Sequence, residues 1–203
     1  MKIRYNSPVI LTFTLVSTAI LFIDSIHGTF IRNFFVAYPQ MDFSNPLTYL
    51  RIFSHALGHQ DWNHLIGNFA FILLIGPILE EKYGSKRILT MMIIAAAVTG
   101  VLNSLLFNTG LMGASGIVFM FIILGSFTNF RSGDIPLTFI LIIFLFLTRE
   151  FLESFQRDNI SQFAHITGGI CGSVFGFKSR KWGVKSYETM CCIIKKKFTC
   201  CYC

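Results

Sequence analysis

Charged residues are scarce in this chain of 203 residues. Aspartate, glutamate, lysine and arginine together make up 13% of the sequence, whereas 53% of it is hydrophobic. Soluble domains usually carry about 25% charged residues, and a water-soluble globule of this size would struggle to bury so much apolar surface. The low charge argues against an ordinary soluble domain and predicts an all-α protein embedded in a bilayer.

Cysteine is nearly absent from the hydrophobic body, which contains Cys171 alone. The other five of the six cysteines fall within the last thirteen residues, 191–203. This distribution does not match the disulfide framework of a small secreted domain.

A clear small-x-small cleavage site is also lacking after the first apolar run, so we expect that run to stay in the membrane.

Long apolar runs, by contrast, are abundant. A helix needs about 20 apolar residues to cross the hydrocarbon layer, and six segments are candidates: Pro8–Ile26, Trp62–Leu79, Leu89–Phe107, Ser115–Phe130, Pro136–Phe151 and Phe163–Phe177. The sequence therefore predicts a six-transmembrane-helix bundle. The longest connector, from His27 to Asp61, is expected to be partly ordered and to lie in the membrane interface.

The basic residues are distributed unevenly between the two sides of this bundle. Thirteen of the 17 lysines and arginines fall in the N-terminal tail, the links after spans two and four, and the C-terminal tail. Since cytoplasmic segments carry the excess of Lys and Arg, both termini are expected to be cytoplasmic. The net charge of +7 is thus better explained by membrane orientation than by nucleic-acid binding, which the hydropathy also disfavours.

Three domains of unequal size follow from these patterns. Residues 1–7 are expected to form a cytoplasmic tail, residues 8–177 the six-span body, and residues 178–203 a basic, cysteine-rich cytoplasmic tail. A compact body of this kind suggests a prokaryotic plasma membrane. The terminal CCIIKKKFTCCYC run is compatible with S-palmitoylation, with zinc binding or with a dispensable tail.

Polar residues converge at the starts of spans two, four and six, all of which enter from the outside in this topology. His64 and Asn68 are four apart and so share one helix face. Ser115 begins span four, and His165 lies near the start of span six. Polar groups within a membrane are costly and usually mark function, so we predict a site at this depth.

The chemistry open to these residues is acyl transfer by an activated serine. His165 could take the proton of Ser115 and return it to a leaving amine. Asn68, His64 and the backbone N–H of Ser115 at a helix N-terminus could donate to the resulting oxyanion. Simpler interpretations remain open: Ser115 and His165 could only pack, Asn68 could bridge helices, and His64 could orient a water or a loop.

Small residues surround the same positions. Gly113 and Ala114 precede the serine and are expected to lie at the substrate. Gly116 and the stripe formed by Gly168, Gly172 and Gly176 are predicted to let spans four and six approach closely, which would bring His165 to Ser115.

At these residues the sequence resembles the rhomboid intramembrane serine proteases. The matching pieces are H-x-x-x-N at 64–68, GASG at 113–116 and AHITG at 164–168, supported by RIFSHALGH at 51–59 and EEKYG at 80–84. Three motifs in the expected order and on the expected spans are a far stronger signal than any one of them.

The resemblance implies a Ser115–His165 dyad without an aspartate, with His64 and Asn68 on the oxyanion side. It also implies cleavage of single-span membrane proteins near the outer surface, in a water-filled cavity beneath the loop at 153–161, with substrate entry near span five. Membrane lipid is the only other partner expected, and neither cofactor nor metal is implied.

Two positions depart from the family pattern. Phe119 stands where tyrosine is frequent, and its ring could still stack on His165. Leu50 replaces a common tryptophan. Neither change removes a catalytic group.

Several alternatives remain. His55 and His59 have the i, i+4 spacing of a zinc helix, but HALGH lacks the glutamate of H-E-x-x-H, so loop packing through backbone carbonyls is favoured. Arg51 and Glu81 are interpreted as structural anchors of the first loop and of the cytoplasmic end of span two. A non-catalytic binder of membrane helices and a small transporter are the competing functions; the transporter is disfavoured because no acidic residue lies in the middle of a span.

Overall fold

The computed structural model describes residues 5–28, 31–42, 44–127 and 160–181, with single helical positions between 137 and 148. Within these residues it is all-helical, with one isolated β-bridge between Ala37 and Leu111. Most of the predicted fifth span, most of the loop that follows it and nearly all of the C-terminal tail lie outside the described residues.

Six α-helices and one 3₁₀ helix make up the described part. A 3₁₀ turn, Arg32–Phe35, lies between α1 and α2, and the α-helices are α1 (Pro8–His27), α2 (Pro46–Ser54), α3 (Trp62–Tyr83), α4 (Ser85–Leu106), α5 (Ser115–Ser126) and α6 (Ile160–Lys181). α3 ends later and α4 begins earlier than predicted, and the two helices are joined at Gly84, whose φ of +85° makes the turn. Polar residues placed in a connector by hydropathy thus continue both helices.

Three of these helices are long and apolar enough to cross a membrane, namely α1, α3 and α4. α5 is apolar but has only 12 residues, and α6 has 22 residues but is interrupted by small and polar side chains. α6 extends the predicted sixth span at both ends, into segments expected to be loop and tail. Large apolar side chains stay exposed on the long helices, such as Leu74 at 69%, and lipid can solvate that surface.

The core of the bundle is built around α5. Nearly every residue from Gly116 to Leu124 is buried, and α5 packs against α3, α4 and α6, most extensively against α6. Because protein neighbours, rather than lipid, cover this apolar helix, α5 occupies the centre of the described bundle. Its first residue, Ser115, is only half-buried, at the edge of this enclosed helix.

A buried carboxylate joins the start of α1 to the end of α3. Pro8 lacks an N–H, and the next two amides, of Val9 and Ile10, donate to the two carboxylate oxygens of Glu80 at 3.1 Å each. Glu80 is 4% exposed, whereas Glu81 is exposed. The anchor at this end of α3 is thus Glu80, and the expectation that placed it at Glu81 was wrong.

Replacing Glu80 by alanine is expected to lower the free energy of unfolding by about 1–3 kcal/mol, because two buried amides lose a charged acceptor. Thermal unfolding in detergent micelles measures the change. Glu81→Ala removes the same charge from the exposed neighbour and is expected to leave the midpoint unchanged. Equal destabilisation by both variants would contradict the assignment of the anchor to Glu80.

Candidate active site

The start of α3 is fixed by a capping aspartate. The Asp61 side chain accepts from the backbone N–H of His64 at 2.8 Å, which satisfies an amide that the helix itself leaves unpaired. With the helix starting there, His64 and Asn68 lie one turn apart on one face. The i, i+4 prediction for these two side chains therefore agrees with the helix that the structure has.

Asn68 is oriented by a histidine from outside its own helix. Its Nδ2 lies 3.1 Å from His59 Nε2, and because an amide nitrogen can only donate, the imidazole nitrogen is the acceptor. The ring proton of His59 is then on Nδ1, which donates to the Leu57 carbonyl at 3.3 Å. The His59 ring also packs edge-on against His64, with centroids 5.1 Å apart.

The loop before Ser115 is pinned to the first loop at two points. Leu111 exchanges a pair of backbone hydrogen bonds with Ala37, both 2.9 Å long, and the Gly113 N–H donates to the His55 carbonyl at 2.9 Å. Long-range backbone bonds of this kind fix the path of the chain immediately before α5. The first loop is therefore part of the framework of the site.

Gly113 allows this loop to pass directly over the face of α3. Its φ is +127°, in a region where L side chains are strained. A Cβ there would also lie 2.7 Å from His64 Cε1 and 3.8 Å from Asn68 Nδ2. Any side chain at residue 113 would thus displace His64, which explains why glycine is needed.

Ser115 is the first residue of α5 and is half-buried. The first hydrogen bonds at this helix start run from the amides of Ile117 and Val118 to the carbonyl of Ala114, at 2.9 and 3.0 Å. The amides of Ser115 and Gly116 precede those bonds, so they belong to the donors that a helix N-terminus leaves for other acceptors. Ala114, expected at the substrate, is fully buried and contributes through its carbonyl.

α5 and α6 touch backbone to backbone. A Cβ at Gly168 would overlap the carbonyl of Gly116, and one at Gly172 would lie 2.6 Å from the carbonyl oxygen of Met120. Small residues at i, i+4 allow such close helix contact in membranes. The stripe on α6 therefore runs along α5, from Gly168 beside the start of α5 to Gly176 beside Phe127 just after its end.

This packing carries His165 into the same region. Its ring lies against that of Phe119, one turn beyond Ser115 on α5, with centroids 4.3 Å apart and planes inclined by 35°. His165 is 9% exposed and close enough to His64 for the two rings to interact electrostatically. Groups from α3, α5 and α6 are thus gathered at one end of the bundle.

The histidines of HALGH are committed to protein partners. The Nε2 of His55 bonds to the Ala96 carbonyl at 3.0 Å, and both nitrogens of His59 are used as described above. Within the described ranges no cluster of three His, Cys, Asp or Glu side chains is arranged to hold a metal ion. The two rings therefore act as packing and orienting groups of the first loop.

Acidic pH is expected to destabilise the folded protein through these two rings. Burial lowers the pKa of His55 from 6.5 to about 4. The pKa of His59 is lowered to about 4, by burial first and then by the neighbouring His64. In the unfolded chain the two imidazoles bind protons below about pH 6.5, whereas in the folded protein they stay neutral down to about pH 4. Between these two pH values the unfolded state binds more protons than the folded state. The free energy of unfolding therefore falls as the pH falls from 6.5 to about 4.

Thermal unfolding between pH 7 and pH 4.5 measures this dependence. His59→Gln removes one of the two titrating rings and is expected to flatten the decline of the melting temperature. His27→Gln changes an exposed histidine at the end of α1 and should leave the decline as it is. A melting temperature that is independent of pH in the unmodified protein would refute the assignment of two buried neutral imidazoles.

Sequence reasoning missed the contribution of His59 to this site. His59 precedes α3, and no helical periodicity connects it with Asn68, so only the tertiary path of the first loop brings the two together. Arg51 was expected to anchor that loop, and its guanidinium carbon lies 5.0 Å from the centroid of the Tyr38 ring. Leu50 is 55% exposed and contributes nothing to the site.

Comparison with known proteins gives a family match. The family model described as "Rhomboid domain" matches residues 46–182. Rhomboid protease GlpG of Haemophilus influenzae is 26% identical over 141 residues, which cover 68% of this chain and 73% of the relative.

Two animal proteins are also similar to this chain. Rhomboid-related protein 1 of Caenorhabditis elegans is 28% identical over 138 residues, covering 63% of this chain and 39% of the relative. Rhomboid-related protein 2 of Mus musculus is 28% identical over 156 residues, covering 66% and 51%. The chain thus spans about half or less of these two relatives.

Proposed function

Because this chain belongs to the rhomboid family and is an integral membrane protein, we propose that it is an intramembrane serine endopeptidase. Its substrates are single-span membrane proteins, cut in or near the outer leaflet. The observation that carries the proposal is the contact of the His165 ring with Phe119, one turn beyond Ser115. That contact brings the only histidine of α6 to the start of α5.

Ser115 and His165 form the catalytic dyad in this proposal. The Ser115 Oγ attacks the scissile carbonyl while His165 accepts the hydroxyl proton. When the tetrahedral intermediate collapses, His165 gives that proton to the leaving amine and an acyl ester remains on Ser115. Water, deprotonated by the same imidazole, then hydrolyses the ester and restores the serine.

The oxyanion is stabilised by donors from two helices. The backbone N–H of Ser115 belongs to the unpaired amides of the α5 N-terminus, and the side chains of Asn68 and His64 approach from α3. The Asn68 amide has two protons, one of which is held by His59, so the other is available in a fixed direction. Pre-oriented donors of this kind stabilise developing charge without reorganisation.

The helix contacts have a catalytic purpose in this scheme. Gly116, Gly168 and Gly172 set the distance between α5 and α6, and Phe119 supports one face of His165. Gly113 lets the loop before the serine lie against His64, which shapes the oxyanion side of the site. The family likeness of the surrounding motifs supports this division of roles.

The orientation in this proposal is argued from the distribution of charge, and the compartment from the compactness of the six-span body. We place both termini in the cytoplasm, with residues 8–177 as the protease body between tails at 1–7 and 178–203, in a prokaryotic plasma membrane. The excess of Lys and Arg in the tails and in the link near Gly84 supports this orientation. The starts of α3, α5 and α6 then face the outside, where water can reach Ser115.

A fluorophosphonate probe separates the enzyme from a non-catalytic member of the family that only binds membrane helices. The active enzyme is expected to be labelled covalently at Ser115, as peptide mapping by mass spectrometry would show. His165→Ala is expected to prevent labelling, because the hydroxyl loses its base. Labelling at other serines only, or labelling that is unaffected by His165→Ala, would favour the binding protein.

A further inference from the structure

A cavity lies apart from the proposed active site. Its volume is about 220 Å³, and it is lined by the segment 37–42, by one face of α2 and by the end of α4. None of the proposed catalytic or oxyanion residues lines it. Polar and charged side chains make up much of the wall, including Gln40, Asp42, Thr48 and Arg51.

The wall of this cavity contains a guanidinium nitrogen without a partner. Arg51 Nε is buried and has no hydrogen-bond acceptor among the described residues. The guanidinium carbon lies 5.0 Å from the centroid of the Tyr38 ring, so an aromatic face supports the charge on one side. A buried donor left unpaired is costly, which indicates that an external acceptor completes the site.

The segment opposite α2 is held in an unusual conformation. Gln40 has a φ of +53° although it is not glycine, and its N–H donates to the Ser104 carbonyl at 3.2 Å. Strain of this kind persists only where the surroundings fix the backbone. The cavity is therefore a built feature between the first loop and the end of α4.

The charges around the cavity are of both signs. Asp42, which is exposed, lines it together with Arg51. A simple anion would be repelled by the carboxylate, and a simple cation by the guanidinium. A zwitterion that carries a phosphate and an ammonium group a few bonds apart satisfies both side chains.

Beside the cavity, α2 exposes apolar side chains on its outer surface. Leu47, Leu50 and Phe53 are exposed by 37%, 55% and 46%, on a short helix at the same end of the bundle as the start of α5. Apolar side chains of this kind beside polar ones are typical of a helix in the membrane interface. A lipid whose headgroup enters the cavity would lay its acyl chains along this surface.

We propose that this cavity binds the headgroup of a zwitterionic phospholipid of the phosphatidylethanolamine type. The lipid phosphate accepts from Arg51 Nε and the rest of its guanidinium, and the ammonium group lies toward Asp42. Arginine suits this role because its planar donors match phosphate geometry. Bound in this way, the lipid joins the first loop to α4 and to the surrounding bilayer.

Native mass spectrometry of the delipidated protein in detergent tests the proposal. The probes are dilauroyl phosphatidylethanolamine and dilauroyl phosphatidylglycerol, which share the phosphate and differ in the ammonium group. The unmodified protein is expected to retain the ethanolamine lipid with at least about a tenfold preference. Arg51→Gln is expected to lose most retention of both lipids.

Two further variants complete the design. Asp42→Asn is expected to keep lipid retention but to lose the preference for the ethanolamine headgroup, because only the partner of the ammonium is removed. Lys86→Gln removes a positive charge from the first turn of α4, at the opposite end of that helix from Ser104. This control is expected to change neither the lipid retention nor the headgroup preference. Melting temperatures show which variants remain folded.

Equal lipid retention by Arg51→Gln and the unmodified protein would overturn the proposal. So would displacement of the bound lipid by soluble phosphoethanolamine or inorganic phosphate at equal concentration, since the cavity would then bind a free phosphate compound. If Arg51→Gln does not fold, the Asp42→Asn variant tests the proposal instead. An unchanged preference of Asp42→Asn for the ethanolamine headgroup would then overturn it.

Discussion

Replacing Ser115 by alanine is expected to abolish cleavage of a reconstituted single-span substrate, with a loss of about 10⁴-fold or more. The variant keeps the oxyanion donors and the packing of α5 but has no atom that can attack the scissile carbonyl. Proteoliposomes that contain the protein and a tagged substrate measure the rate, and mass spectrometry of the products locates the cut.

The same helix supplies the matched control for this experiment. Ser126 is the last residue of α5, and its hydroxyl donates to the Ile122 carbonyl at 3.0 Å. Ser126→Ala is therefore expected to retain close to full activity. Cleavage at an equal rate by Ser115→Ala and the unmodified protein would contradict the serine-protease proposal. That result would not bear on the proposed lipid cavity beside α2, which is tested by lipid retention.

Replacing Gly168 by alanine is expected to separate α5 from α6, since the added methyl group would overlap the Gly116 backbone. Backbone cannot rotate aside as a flexible side chain can, so one helix must move. Overpacking of this kind costs about 1–3 kcal/mol of stability. Because displacement of a catalytic group by about 1 Å can cost 10²-fold in rate, activity is expected to fall by about that factor even where the protein stays folded.

The adjacent glycine shows whether the effect is specific to the helix contact. The nearest atom to a Cβ at Gly169 is Ile123 Cγ1 at 3.7 Å, which is ordinary van der Waals contact. Gly169→Ala should therefore be neutral, or stabilising by up to about 1 kcal/mol through helix propensity. Matching losses in both variants would mean that the close approach of Gly168 to Gly116 has no special role.

Much of the fold could be predicted because the bilayer imposes a simple length rule. The apolar runs that begin at Pro8 and Trp62, and the one that ends near Phe107, are the helices that the structure describes as long enough to span. The ends of those runs were less predictable. A hydropathy pattern places the helix ends where the polar residues near Gly84 begin. Helical backbone hydrogen bonding continues through those polar residues until Gly84 allows the turn.

The two glutamates at the end of α3 show a limit of sequence reasoning. Adjacent residues on a helix point about 100° apart, and both Glu80 and Glu81 lie at the polar end of an apolar run. Only the position of α1 decides which carboxylate receives the amides of Val9 and Ile10. Sequence periodicity is too weak at a helix end to choose between them.

The sequence by itself determined which helices carry polar groups and at which end of each helix they lie, because helical periodicity and the length of an apolar run are local properties. It paired His64 with Asn68 and marked the glycine stripe of α6. Tertiary structure alone decided that His59 holds Asn68, that the first loop pins Gly113, and that Arg51 lines a separate cavity. Those contacts join segments far apart in the chain, and their geometry depends on how whole helices pack rather than on any local pattern.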